Sequence, residues 1–120
     1  MPNQDASAEC VFCKIVRGEL GTELVAESPN AVAFRDIQPQ APTHVLVVPR
    51  RHISSLRELG SDDDALTGEL LRLAVKVAEQ EGITDSGFRV LTNTGPDAGQ
   101  TVHHLHFHVL GGRPLRPGLA

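Results

Sequence analysis

Four of the chain's six histidines stand within one short run, His103-His104-Leu105-His106-Phe107-His108. Taken as a strand of period two, the run sends His104, His106 and His108 to one face and Leu105, Phe107 and Val109 to the other. Imidazole is the side chain that serves as nucleophile, proton donor or metal ligand near neutral pH. Three imidazoles in file, backed by an apolar row, have no packing rationale and mark a reactive site. Alternate Cα atoms on a strand lie about 7 Å apart, a stretch for three ligands on one tetrahedral ion. A zinc site built from these histidines alone is therefore disfavoured, although one of them can join a metal site while its neighbour does chemistry.

A second group lies near the N-terminus. Cys10-Val11-Phe12-Cys13 has the spacing of half a zinc site, with a redox pair or two ordinary buried thiols as the alternatives. A thioredoxin-like pair wants a preceding strand in a βαβ unit, and only a short polar lead-in comes before Cys10. Two cysteines do not make a disulfide framework.

The elements that must position these groups can be read from periodicity and turn residues. Cys10 to Arg17 carries Val11, Phe12, Ile15 and Val16 in a short helical pattern stopped by Gly18. Residues 23–27 and 31–35 read as two strands around a turn at Ser28-Pro29-Asn30. A Pro-rich loop over 38–42 precedes a central strand, His44 to Val48, ended by Pro49; His44 reads as a strand-start residue that supports the site. The long helix starts at Ser61 as N-cap, places Asp62-Asp63-Asp64 where they face the helix dipole, and stops at Gly82. Leu66, Leu70, Leu73 and Val77 form its apolar stripe. A strand over 87–92 and a loop over 93–100 lead into the histidine strand, which Gly111-Gly112 closes. The sum is an α+β domain over residues 10–112, an antiparallel sheet of about five strands with one long and one short helix. Residues 1–9 form a disordered lead-in and 113–120 a tail running over the surface.

Composition bounds the rest. A chain of 120 residues, 40% hydrophobic but with only four Phe and no Trp or Tyr, builds one modest core from Val, Leu, Ile and Ala. A net charge of −4 argues against general binding to nucleic acid or to an anionic membrane. It leaves room for a small anionic ligand in a pocket of opposite local sign. No apolar run is long enough to span a bilayer, and the N-terminus lacks the basic start and apolar stretch of a secretory signal. The expected location is the cytoplasm.

His104-Leu105-His106-Phe107-His108-Val109-Leu110 matches the signature His-φ-His-φ-His-φ-φ, where φ is hydrophobic. With Phe34-Arg35-Asp36-Ile37, Ala41-Pro42-Thr43-His44, Val48-Pro49, His52-Ile53, Asn93 and Gly99-Gln100-Thr101-Val102, the chain resembles the histidine triad (HIT) family over about residues 10–112. Within it, the branch of nucleoside phosphoramidate hydrolases is the most similar. The resemblance implies a HIT-like fold, a homodimer whose two sheets join, and a site for AMP- or GMP-type purine nucleotides and their phosphoramidates. It implies that His106 attacks the α-phosphorus to form a nucleotidyl-imidazole, that His108 contacts the phosphate and protonates the leaving group, and that His104 orients the site. Asp36 would hold the ribose, while Phe12, Ile15, Phe34 and Ile37 wall the base. Asn93, Gly99, Gln100 and Thr101 would hold the phosphate and leaving group. Some family members carry a structural zinc, which here implies Cys10, Cys13, His52 and His104 as ligands, with His103 the rival fourth, and no catalytic metal. Hydrolysis of dinucleoside polyphosphates, nucleotidyl transfer, or a nucleotide-sensing scaffold dimer are the competing functions.

Overall fold

The computed structural model describes residues 9–117; most of the expected lead-in and the last three residues of the tail lie outside them. A short helix α1 (Val11–Val16) precedes a hairpin of β1 (Ala26–Ser28) and β2 (Ala31–Arg35). Strand β3 (Thr43–Pro49), helix α2 (Asp64–Gln80), β4 (Phe88–Leu91) and β5 (Phe107–Gly111) follow. The strands form one antiparallel sheet in the order β1-β2-β3-β5-β4, the α+β arrangement expected.

β3 lies at the centre and is buried along its whole length, which is why it reads as an unbroken apolar run. Its alternation sorts the core into two layers. Val45 and Val47 join Phe107, Val109 and Leu105 beneath Leu70, Leu73, Ala74 and Val77 of α2. Leu46 and Val48 join Val32 and Phe34 on the opposite face, where Phe12 of α1 covers them. α2 is also tied to the β1–β2 turn: Glu69 accepts from the backbone N–H of Asn30 (2.7 Å), from its side-chain amide (3.0 Å) and from the Ser28 hydroxyl.

Two local expectations are corrected. Ser61 does not cap α2; residues Ser61–Asp63 form a 3₁₀ turn, and Asp63 takes the N-cap position and accepts from the Gly60 N–H at 3.0 Å. The histidine segment is also not one continuous strand, since β5 starts only at Phe107 and residues 102–104 bend. Extending the β3–β5 register beyond Val47↔Phe107 would set Leu105 opposite Pro49, which has no N–H to offer. Leu105 instead donates to the Ile53 carbonyl at 2.6 Å. The alternation of faces survives the break, with Leu105 in the α2 layer and His104 and His106 on the α1 side, next to Phe12.

Because Leu70 is fully buried between α2 and the sheet, Leu70→Ala is expected to lower stability by about 2–5 kcal/mol. Urea unfolding reads this directly, and a loss below about 1 kcal/mol would mean that α2 does not complete the main core.

Candidate active site

His104 is completely buried where three stretches of chain meet. Its Nδ1 lies 3.4 Å from Cys10 Sγ and 3.5 Å from Cys13 Sγ, and His52 Nδ1 lies 3.2 Å from Cys13 Sγ. The four ligand atoms are all within 4.8 Å of one another. A tetrahedral zinc with ordinary Zn–S and Zn–N bonds has an S···N edge of about 3.5 Å, so the spacing fits such an ion. The second nitrogen agrees: His104 Nε2–H donates to the Pro49 carbonyl at 2.9 Å, which fixes the tautomer with the Nδ1 lone pair facing the thiols. Burial pushes the His104 pKa down to about 4 and that of His52 below its ordinary value, keeping both rings in the neutral form that binds metal. His103 is exposed and outside this group.

His106 is held by the same segment. Its Nδ1–H donates to the His104 carbonyl at 2.7 Å, so Nε2 carries the lone pair. The ring packs edge-on to Phe12, with centroids 5.2 Å apart. Burial lowers its pKa, opposed by the His104 carbonyl and Asp36, which favours the neutral ring.

The third histidine belongs to a relay that fixes every proton. The Gln40 N–H donates to His44 Nδ1 at 3.0 Å, which leaves the hydrogen of neutral His44 on Nε2. Nε2 lies 2.8 Å from His108 Nδ1, and 3.4 Å from Asp36 Oδ2. His44 therefore donates to His108 Nδ1, and the hydrogen of His108 sits on Nε2. That Nε2 is buried without a hydrogen-bond partner among the described residues. The other such side-chain atom is Thr94 Oγ1, in the loop before the histidine segment. Buried polar atoms are ordinarily satisfied, so the unpaired Nε2–H of His108 is a donor left for a polar ligand. Thr94 had no signal in the sequence beyond its place in an Asn-Thr-Gly turn.

The remaining expected residues divide into those that face this place and those that support it. Asp36, half-buried, uses Oδ1 to accept from the Gln38 N–H at 2.8 Å and keeps Oδ2 beside His44. Ile37 next to it is 94% exposed. Phe12 and Phe34 are buried and touch edge-to-face at 5.4 Å, with Ile15 partly buried beside them. Gln100 is committed to the loop: its Oε1 accepts from the Gly95 N–H, and its Nε2 donates to the Ser54 and Val102 carbonyls. It shapes the loop rather than presenting a free amide. Gly95 and Gly99 (φ 82° and 85°) bracket a 3₁₀ turn at Pro96–Ala98 in a backbone conformation that glycine adopts without strain. Asn93 is half-buried at the start of this loop and Thr101 exposed at its end.

Burial lowers the His108 pKa to about 4 and the His44 pKa below its ordinary 6.5. Between those values the unfolded chain binds protons that the folded one does not. The stability these groups contribute is complete above pH 6.5 and is lost as pH falls towards 4. Thermal melts should accordingly show Tm dropping over this window, and less steeply in His108→Gln. A Tm in the wild type that stays level there would contradict the neutral relay.

The family model for the HIT domain matches residues 17–115 of the chain. A curated relative, purine nucleoside phosphoramidase of Escherichia coli K12, is 44% identical over 112 residues, covering 93% of this chain and 94% of its own. Among solved structures, a HIT family hydrolase from Clostridium thermocellum superposes with a TM-score of 0.89 at 42% identity, covering 93% of this chain and 97% of that one. A HIT family hydrolase from Legionella pneumophila gives a TM-score of 0.87 at 44% identity, covering 90% of this chain and 96% of its own. With its signature histidines set in this fold and nearly its full length matched, the chain belongs to the HIT domain family.

Proposed function

We propose that the protein hydrolyses the P–N bond of purine nucleoside phosphoramidates through a nucleotidyl-histidine intermediate, releasing the nucleoside monophosphate. The observation that carries this reading is the paired state of His106 and His108. One ring offers a lone pair on Nε2, with its other nitrogen tied to the backbone; its neighbour holds an unpartnered N–H. The E. coli relative's name, purine nucleoside phosphoramidase, supports the substrate class.

In the first step His106 Nε2 attacks phosphorus, and the P–N bond breaks with its electrons passing to the departing nitrogen. The Nδ1–H bond to the His104 carbonyl stabilises the charge that the attacked ring acquires. The anionic phosphate beside His108 favours uptake of one proton from solvent by the His44–His108 pair, His44 shifting its own hydrogen from Nε2 to Nδ1 and releasing the Gln40 N–H, and the His108 imidazolium so formed gives its Nε2 proton to the leaving amine. Water then attacks the nucleotidyl-imidazole, with His108 accepting its proton, and frees His106. Asp36 Oδ2 receives the ribose hydroxyls, and the exposed Ile37 covers the base, with Phe12, Phe34 and Ile15 backing that wall. The Thr94 hydroxyl and the loop from Asn93 through Gly99 to Thr101 hold the phosphate. β4, an edge of the sheet, is where a second copy would pair to make the homodimer. No helix among the described residues is long and apolar enough to cross a membrane, and a cytoplasmic enzyme acting on small nucleotides is the reading that fits the composition.

Cys10, Cys13, His52 and His104 would hold a structural zinc, which when bound supplies a closed four-ligand clamp and no open position for chemistry. Its residues anchor α1 to the histidine segment, so metal removal should lower Tm far more than it lowers the chemical step. Elemental analysis is expected to find about one zinc per chain. No zinc after mild purification, with both thiols freely titratable, would refute the assignment.

The mechanism is tested by rapid quench with labelled adenosine phosphoramidate. Wild type should form an acid-labile, base-stable nucleotidyl-protein, and His106→Ala should form none while kcat/KM falls by more than about 10³-fold. Wild-type labelling of the variant would place the nucleophile elsewhere.

A further inference from the structure

The long helix ends on an acid. Glu81 is the C-cap of α2, its N–H bonded to the Val77 and Glu79 carbonyls. A carboxylate there faces the negative end of the helix dipole, which on local grounds is an unfavourable place for it. Its tertiary contacts account for the choice. Arg35 Nη1 and Nη2 donate to Glu81 Oε1 and Oε2 at 3.0 and 2.8 Å, a two-pronged pair, and the Thr43 hydroxyl donates to Oε1 at 3.2 Å. The Glu81 side chain is only 16% exposed, and the Arg35 bonds hold its pKa below the ordinary value. One clamp thus joins the end of β2, the start of β3 and the end of α2.

Arg35 and Thr43 immediately precede Asp36 and His44, and the strand alternation sends the two pairs to opposite faces. Arg35 pairs in register with Val45, which lies in the layer beneath α2. Asp36 and His44 meet on the other face, with Oδ2 3.4 Å from Nε2. Arg35↔Val45 is also the last pair of the β2–β3 ladder; past it the Asp36 N–H donates to the His44 carbonyl at 3.0 Å, and residues 37–42 loop out. The end of a ladder opens most readily unless something holds it. We propose that Glu81 is a positioning residue: it holds Arg35 to Thr43 on one face of the sheet and thereby sets Asp36 against His44 on the other. The proposal rests on the reading of Asp36 as the ribose ligand and of His44 as the partner of His108. Loss of the clamp lets the end of β2 part from the start of β3. Asp36 then moves off the ribose and His44 off His108, although no group that touches the nucleotide has changed.

Glu81→Ala removes the clamp, whereas Glu81→Gln keeps its volume and an acceptor for the Thr43 hydroxyl. Both, with Asp36→Ala and the Asp36→Ala/Glu81→Ala double variant, are titrated with adenosine monophosphate and with its 2′,3′-dideoxy analogue. The ratio of the two dissociation constants is the ribose selectivity, and a general loss of folded protein does not imitate a change in it. Glu81→Ala should lower the selectivity by about three- to tenfold and Glu81→Gln by less, while adding Glu81→Ala to Asp36→Ala should change it by less than about twofold. Imidazole ¹⁵N spectra of the nucleotide-free protein give a second readout, in which the His44 and His108 signals should move in Glu81→Ala while that of His52 stays. Where Asp36→Ala loses selectivity, an unchanged ratio in Glu81→Ala, or a loss that persists in full without Asp36, overturns the clamp. Where Asp36→Ala keeps its selectivity, the ribose assignment falls and the histidine signals decide: moved signals support the clamp and unmoved ones overturn it. Neither readout needs turnover, so the hydrolase reading stands or falls separately, on the rapid-quench labelling.

Discussion

The buried ring of His104 pins three stretches of chain that sequence keeps far apart. Nδ1 faces the two thiols at the start of α1, Nε2–H is bonded to the end of β3 at Pro49, and the carbonyl of the same residue orients His106. Each contact has its own partner, so moving the ring disturbs the helix, the strand end and the His106 imidazole together. The break in the β5 ladder serves this arrangement. Only by leaving the sheet before Phe107 can the backbone turn the His104 carbonyl towards His106 and the ring towards Cys10 and Cys13.

Around this pin the site is built from neutral rings rather than from charge. Burial holds His104, His106, His108 and His44 in their uncharged forms, and hydrogen bonds to main-chain groups settle the tautomers of three of them. Protein main chain cannot titrate, so while the rings are neutral the direction of these lone pairs is set by the fold. Formal positive charge lies outside the ring cluster, on Arg89, Arg113 and Arg116 along a neighbouring groove. The rings are uncharged, and the positive charge beside them is carried by groups that never lose their protons.

Much of this was legible in the sequence where the signal is local. The alternation of His104, His106 and His108 with Leu105, Phe107 and Val109 correctly assigned the two faces, even though the ladder reaches only to Phe107. The cysteine spacing anticipated two thiols brought together on one helical turn, and the Leu70, Leu73, Val77 stripe located α2. What escaped depends on pairings across long separations. Nothing near His44 announces its bond to His108, 64 residues away, and nothing near Gln100 shows that its amide is committed to Ser54. The start of α2 was misread for a related reason: Ser, Asp and Asp all make good caps, and only the 3₁₀ turn from Gly60 decides which one takes the position.

β3 fills two cores at once, its odd residues under α2 and its even ones beside α1 and the histidines. Such a strand is keyed like a two-sided rack. Exchanging Val for Ile or Leu alters volume by a methylene, but inserting or deleting one residue between Thr43 and Pro49 would swap the faces. His44 would then turn into the layer beneath α2, out of reach of His108, while Val45 would stand in the relay. A change of chain length within this seven-residue strand therefore costs the His44–His108 pairing, which a change in a loop does not.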